Sequence, residues 1–318
     1  MEAYIQKHSQ ELKLDSAIPE LVPTCQLWRD PKATPYYHEM HAFLSELEDY
    51  YKRIEAFRLD EGITDVRQHI HDGFGGSNIC QKLKLREDGL EGIFSESKQL
   101  SRTRSGWAEP IMPPMRHPKF CLDGASYLLN IQYIVHDFQA MCESLRPTSK
   151  TVFVDMGASL MFHRGQQSPV LDIIDMFQKF GIKFDHIYAY EKTRQNPNHV
   201  YNRIPPHLYA SYHWMNVGVA AETDSPLNPW NMLLENYSED DLVIVKLDVD
   251  TPDLERQLAQ QLLDHPQLSK LIDHFYFEHH VNQQELARNW GPTKQSVKES
   301  LDLFKSLREK GVAAHFWV

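Results

Sequence analysis

Long hydrophobic runs, cysteines and basic residues are all scarce in this chain of 318 residues. No apolar run approaches the ~18–20 residues that a membrane-spanning helix needs, so we expect no membrane span. Residues 1–20 mix charged with apolar positions and do not predict a secretory signal. With 33 basic against 44 acidic residues and a formal net charge of −11, bulk nucleic acid is not an expected partner.

The four cysteines lie far apart and include no C-x-x-C pair. This spacing argues against a disulfide framework or a zinc ribbon, and it predicts buried free thiols. Free thiols slightly favour the cytoplasm, although a targeting segment removed upstream would change that expectation. The compartment and the oligomeric state therefore stay open. The cysteines are Cys25, Cys80, Cys121 and Cys142.

The first 124 residues are predicted to form an N-terminal arm and a mainly helical cap region. Prolines interrupt residues 1–35, and an amphipathic helix is then predicted over residues 36–58. Its apolar stripe packs inside the molecule or forms a dimer seam, and a length under three heptads favours internal packing. The Arg- and Pro-rich residues 101–119 form a lid over an acidic substrate or a solvated connector. The stripe consists of Tyr37, Met40, Leu44, Leu47, Tyr51 and Ile54.

From Thr151 onwards, strands alternate with helices. A helix is predicted from about Ala125 to Leu145, and six apolar, β-forming segments follow it. Such alternation predicts a mostly parallel, doubly wound α/β sheet of the Rossmann-like kind, which we assign to residues 125–318. The strand segments begin at Thr151, Phe184, Tyr212, Leu242, His274 and Val312.

Polar residues occur at or near the carboxyl ends of five of these strands. Polar side chains at equivalent strand ends would be costly to bury in a core, whereas a ligand cleft uses such groups to bind its ligand. In doubly wound sheets, ligands bind outside those ends. We therefore expect one cleft at that edge of the sheet, with Gly157 allowing the backbone to approach the ligand. The polar residues are Asp155, Glu191, Asn216, Asp248 and Glu278.

The glycine pattern of the first loop disfavours a nicotinamide-dependent oxidoreductase. Gly157-Ala158-Ser159 stands where the fingerprint G-x-G-x-x-G is needed. In this fingerprint, the acidic residue that binds the ribose follows after ~20 residues. Glu191 would accept the hydrogen bonds of a ribose here, but it follows Asp155 after a longer interval.

Five segments resemble the class I methyltransferases that use S-adenosylmethionine, most closely their FkbM-type branch. The most specific match is the run Lys-Leu-Asp-Val-Asp at residues 246–250. The resemblance covers about residues 150–318 and implies a Rossmann-like methyltransferase domain. The segments are Val154–Ala158, Tyr190–Lys192, Asn216–Val219, Val245–Asp250 and Phe277–His280.

The resemblance also implies roles for individual residues. The cofactor would be S-adenosylmethionine, and the acceptor would be an oxygen of a small molecule or a glycan. Asp248 would compensate the positive charge of the cofactor. Asp155, Gly157 and Ser159 would face its methionine part, Glu191 its ribose, and Asn216 and Val217 its adenine.

Two residues are candidates for catalysis, namely Asp248 and His279. Either can act as the general base that removes the proton of the acceptor. A metal held by Glu278 and a neighbouring histidine is not expected, because adjacent histidines on a strand point to opposite faces.

An inactive binding or scaffold protein on the same fold is the alternative function. The step after the fourth strand reads Asp250-Thr251 rather than acid-glycine, and the usual seventh strand is not visible.

Overall fold

The computed structural model describes residues 34–70, 78–87, 98–99, 106–109, 133–159, 169–282 and 293–317. Its centre is a six-stranded sheet in which every neighbouring pair is parallel. The strands are β3 (Thr151–Met156), β4 (His186–Tyr190), β5 (Tyr212–Met215), β6 (Leu242–Leu247), β7 (His274–Phe277) and β8 (Ala313–Phe316). A separate antiparallel pair, β1 (Lys98–Gln99) and β2 (Trp107–Ala108), precedes them.

The strand order is β5–β4–β3–β6–β7–β8. It corresponds to the order 3-2-1-4-5-6 of dinucleotide-binding folds, and the chain changes direction across the sheet between β3 and β6. The predicted α/β, Rossmann-like, parallel sheet is therefore confirmed. β3 and β6 are buried along their whole length, as expected for central strands with helices on both faces.

Helices cover both faces of the sheet. One face carries α1 (Thr34–Asp60), α3 (Phe138–Ser144), α4 (Pro169–Lys179) and α5 (Pro197–Tyr201), which share one hydrophobic cluster with it. The other face carries α6 (Pro229–Asn236), α7 (Pro252–Asp264), α8 (Pro266–Leu271) and α9 (Val297–Glu309). A further helix, α2 (Ile79–Glu87), packs against α3.

The part of the apolar stripe of α1 whose side chains the structure describes packs into the core of the molecule. Leu47, Tyr51 and Ile54 are at most 5% exposed, and they belong to the same cluster as Phe153 of β3. This face of α1 is therefore unavailable for a coiled-coil seam, and the described part of the N-terminal region shares the core of the sheet. The predicted boundary at residue 124 lies outside the described residues, as does most of the predicted lid.

The helix predicted from Ala125 to Leu145 is shorter than expected where the structure describes it. Residues 133–137 are not helical, and α3 begins only at Phe138, after Asp137 accepts a hydrogen bond from the Ala140 N–H at 3.0 Å. Before that cap, the His136 N–H donates to the hydroxyl of Tyr51 instead. Capping and a tertiary hydrogen bond therefore override the helical periodicity here.

A disulfide joins Cys80 of α2 to Cys142 of α3, with a Cα–Cα distance of 5.5 Å. The prediction of free thiols is therefore wrong for this pair, because the fold brings together residues that are 62 positions apart. Disulfides persist mainly in oxidising compartments, so the preference for the cytoplasm is withdrawn. Cys25 and Cys121 lie outside the described residues. Within the described ranges, no helix is long and apolar enough to cross a membrane.

We expect loss of this disulfide to lower the free energy of unfolding by about 2–4 kcal/mol, because the bond restricts the unfolded chain. Urea unfolding of wild type and of Cys80→Ser/Cys142→Ser, each with and without dithiothreitol, measures this. Reductant should destabilise wild type only. An equal effect of reductant on the double variant would assign the loss to other cysteines.

Candidate functional site

A cavity of about 800 Å³ opens at the carboxyl ends of β3, β4, β5 and β6. This is the edge where the strand order reverses, which is where doubly wound folds bind ligands. Six of the seven predicted cofactor residues line it, and Asn216 is the exception. The six are Asp155, Gly157, Ser159, Glu191, Val217 and Asp248.

Gly157 has a role that the sequence does not suggest. Its φ is +89°, and a Cβ placed there would lie 1.5 Å from the backbone carbonyl oxygen of Asp248. The N–H groups of Gly157 and Ala158 also both donate to the Tyr190 carbonyl. Gly157 therefore lets two loops of the protein pass each other, and any larger residue would displace the floor of the cavity.

Asn216 supports the cavity from outside. Its side-chain amide donates to the carbonyl oxygens of Glu191 at 2.7 Å and Thr193 at 2.9 Å. Its Oδ1 accepts from the Gln195 N–H at 2.9 Å. These bonds hold the loop after β4 and thereby position Glu191. The contact of Asn216 with adenine stays a prediction.

Lys246 is the central charged group of the site, and the sequence alone assigned it no role. Its side chain is only 4% exposed, and its Nζ lies 3.1 Å from Asp155 Oδ1 and 2.9 Å from Asp248 Oδ2. It also donates to the Gly157 carbonyl at 3.3 Å. A lysine inside an otherwise apolar strand was the available signal, since a buried charge needs partners.

Asp248 has two further partners besides Lys246. The Trp317 Nε1–H donates to its Oδ2 at 3.0 Å, and Glu278 hydrogen-bonds its side chain. Although burial opposes it, these partners lower the pKa of Asp248. Burial, reinforced by the charge of Asp248, raises the pKa of Glu278 well above its ordinary value. Within this pair, Glu278 therefore holds a proton more readily than Asp248 does.

The two adjacent histidines point in different directions. His279 stacks on Phe277 and pairs its Nε2 with Gln295, and it does not line the cavity. This position does not support a general base at His279. His280 is the histidine that turns toward Glu278 and Asp250.

The inner wall of the cavity carries an excess of negative charge. Asp155 and Asp248 share a single lysine, Lys246, and Glu191 adds another carboxylate at the end of β4. Burial raises the pKa of Asp155, whereas Lys246 opposes that shift. The wall therefore suits a ligand that combines a positive centre with hydrogen-bond donors.

The chain matches no protein-family model, no curated protein and no solved structure.

Proposed function

We propose that the protein is an S-adenosylmethionine-dependent methyltransferase. The observation that carries this proposal is the negatively charged wall of Asp155 and Asp248, placed beside Glu191 in a cavity at the switch point of the sheet. The order of the strands agrees with it but does not separate this cofactor from a dinucleotide. The negative charge of the wall favours S-adenosylmethionine, because its sulfonium is cationic whereas the pyrophosphate of a dinucleotide is anionic.

The residues present fit this cofactor. The volume of about 800 Å³ lies within the ~300–1,000 Å³ of typical ligand pockets. Asp155 and Asp248 would hold the positively charged methionine part, and Glu191 would accept hydrogen bonds from the ribose hydroxyls. S-adenosylmethionine would supply an electrophilic methyl group there, and an oxygen of a small molecule or a glycan remains the proposed acceptor.

Asp248 is better suited to binding than to removing a proton. Its pKa is lowered by Lys246, Glu278 and Trp317 against the opposing effect of burial, and a carboxylate with a lowered pKa is a weak general base. We therefore assign Asp248 to charge compensation and make no assignment of the base.

Titration calorimetry with S-adenosylmethionine tests the proposal. We expect wild type to bind it and Glu191→Ala to bind it about 10–100-fold more weakly, since hydrogen bonds to a charged group are each worth about 1.5–3 kcal/mol. Glu239→Ala is the matched control, because Glu239 is 61% exposed and precedes β6 at the opposite edge of the sheet.

Two competing ligands make the result decisive. The demethylated product should also bind, whereas NAD⁺ should not displace either one. No binding at millimolar cofactor, or preferential binding of NAD⁺, would overturn the proposal. Binding without methyl transfer to any tested hydroxyl acceptor would support the inactive alternative.

A further inference from the structure

Three potential metal ligands converge where β6 and β7 end. Asp250, Glu278 and His280 each offer one ligand atom, and these atoms all lie within 4.8 Å of one another. They come from two chain segments, which the parallel pairing of β6 with β7 brings together. Two carboxylate oxygens and one imidazole nitrogen form a mixed set that suits divalent metal ions.

The separations within this set are those of ligands around a shared ion. His280 Nε2 lies 3.8 Å from Asp250 Oδ1 and 3.7 Å from Glu278 Oε2. These distances are too long for hydrogen bonds. Atoms bonded to one ion at about 2.0–2.2 Å each lie about 3–4 Å apart.

An independent observation explains why His280 is aimed at this point. Its Nδ1 lies 2.8 Å from Glu255 Oε2, and both side chains are at most 2% exposed. Glu255 belongs to α7 and is itself anchored, because its Oε1 accepts from the Val249 N–H at 2.8 Å. A carboxylate on one ring nitrogen commonly orients the other ring nitrogen of a histidine toward a metal. Nothing in the cofactor assignment requires such a buried carboxylate.

We propose that Asp250, Glu278 and His280 bind one divalent transition-metal ion of the Mn²⁺-to-Zn²⁺ series, with Glu255 positioning His280. The imidazole favours these ions over Mg²⁺ and Ca²⁺, which prefer sets of oxygen ligands. Asp250 also lines the cavity and its side chain is 76% exposed. Three protein ligands at an open rim leave coordination positions for an exogenous oxygen, as in catalytic rather than structural sites.

The ligands can be altered with little change to the fold. Glu278→Gln keeps the size of the side chain and its capacity to hydrogen-bond Asp248, but removes the carboxylate. Asp250 adopts a φ of +51°, and asparagine tolerates this left-handed conformation better than most residues. Asp253→Asn is the matched control, since Asp253 is an exposed carboxylate three residues further along the chain.

The test uses the full-length protein, stripped with a chelator and titrated separately with Mn²⁺ and Zn²⁺ in the absence of S-adenosylmethionine. Electron paramagnetic resonance of free Mn²⁺ and calorimetry with Zn²⁺ give the stoichiometry and the affinity. We expect one ion per chain, about 10–100-fold weaker binding by Glu255→Gln, and a larger loss in Asp250→Asn and Glu278→Gln.

The outcome does not depend on the proposed function, because no cofactor is present during the titration. Absence of stoichiometric binding of both ions would overturn the site. Equal weakening in Asp253→Asn and Asp250→Asn would also overturn it, because general surface charge would then explain the affinity. Circular dichroism confirms that each variant remains folded.

Discussion

We expect Lys246→Met to lower the free energy of unfolding by about 3–5 kcal/mol at pH 7, the cost of breaking a buried ion pair by removing one partner. Lys246 compensates both Asp155 and Asp248, at 3.1 Å and 2.9 Å respectively. Methionine fills much of the same volume without any charge. The variant therefore isolates the cost of leaving two buried carboxylates without their cation.

The destabilisation caused by Lys246→Met should become smaller as the pH falls. Without Lys246, the pKa values of Asp155 and Asp248 in the folded variant should lie above their unfolded values near 4. A group of this kind stabilises the fold below its unfolded pKa, and the contribution is lost as the pH rises through the folded pKa. In wild type, the lowered pKa of Asp248 acts in the opposite direction, so acid removes stability there. Both effects reduce the difference in the free energy of unfolding between wild type and Lys246→Met as the pH approaches 4.

Urea unfolding of both proteins at pH 7 and pH 4.5 measures this gap. The matched comparison introduces Lys246→Met into Asp155→Asn, where one of the two carboxylates is already neutral. The lysine substitution should cost less in that background, and the double-mutant cycle gives the coupling energy. A gap that does not change with pH, together with additive substitutions, would contradict the charge-compensation role.

The strands of the sheet could be predicted because their sequences are nearly continuous in apolar and β-branched residues. β3 and β6 begin where predicted, at Thr151 and Leu242, and both are fully buried. Several predicted strands were too long at their carboxyl ends, and β4 and β8 also begin one or two residues later than predicted, at His186 and Ala313. β5 ends at Met215, where the backbone turns and the Val217 N–H donates to the Met215 carbonyl at 2.8 Å.

The details of the site were less predictable, because they depend on contacts between distant segments. Sequence pattern places polar groups at strand ends, but it does not show that Lys246 lies between Asp155 and Asp248. Nor does it show which of two adjacent histidines turns toward Glu278. That choice is made by Glu255 on α7, which binds His280.

We expect Glu109→Gln to lower the free energy of unfolding by about 3–5 kcal/mol, because it leaves a buried arginine without its carboxylate. Glu109 Oε1 accepts from Arg308 Nη2 at 2.8 Å, and Oε2 accepts from the Val135 N–H at 3.0 Å. His315 Nδ1 lies 3.0 Å from both oxygens. Glutamine would turn one of these oxygens into a donor that faces other donors. Removing both charges, in Glu109→Gln/Arg308→Met, should cost less than the sum of the single changes.

The same carboxylate should make wild type sensitive to acid in a defined range. Burial opposes it, but His315 and Arg308 together lower the pKa of Glu109 to about 2. A lowered pKa gives stability that is present above the unfolded value of about 4.3 and is lost as the pH falls through the folded value. The difference corresponds to about 3 kcal/mol at neutral pH.

Urea unfolding between pH 5 and pH 2.5 should therefore show a steeper loss of the free energy of unfolding in wild type than in Glu109→Gln. Glu239→Gln, at an exposed position, should follow wild type, and a Glu109→Gln profile parallel to wild type would place the acid sensitivity in other carboxylates.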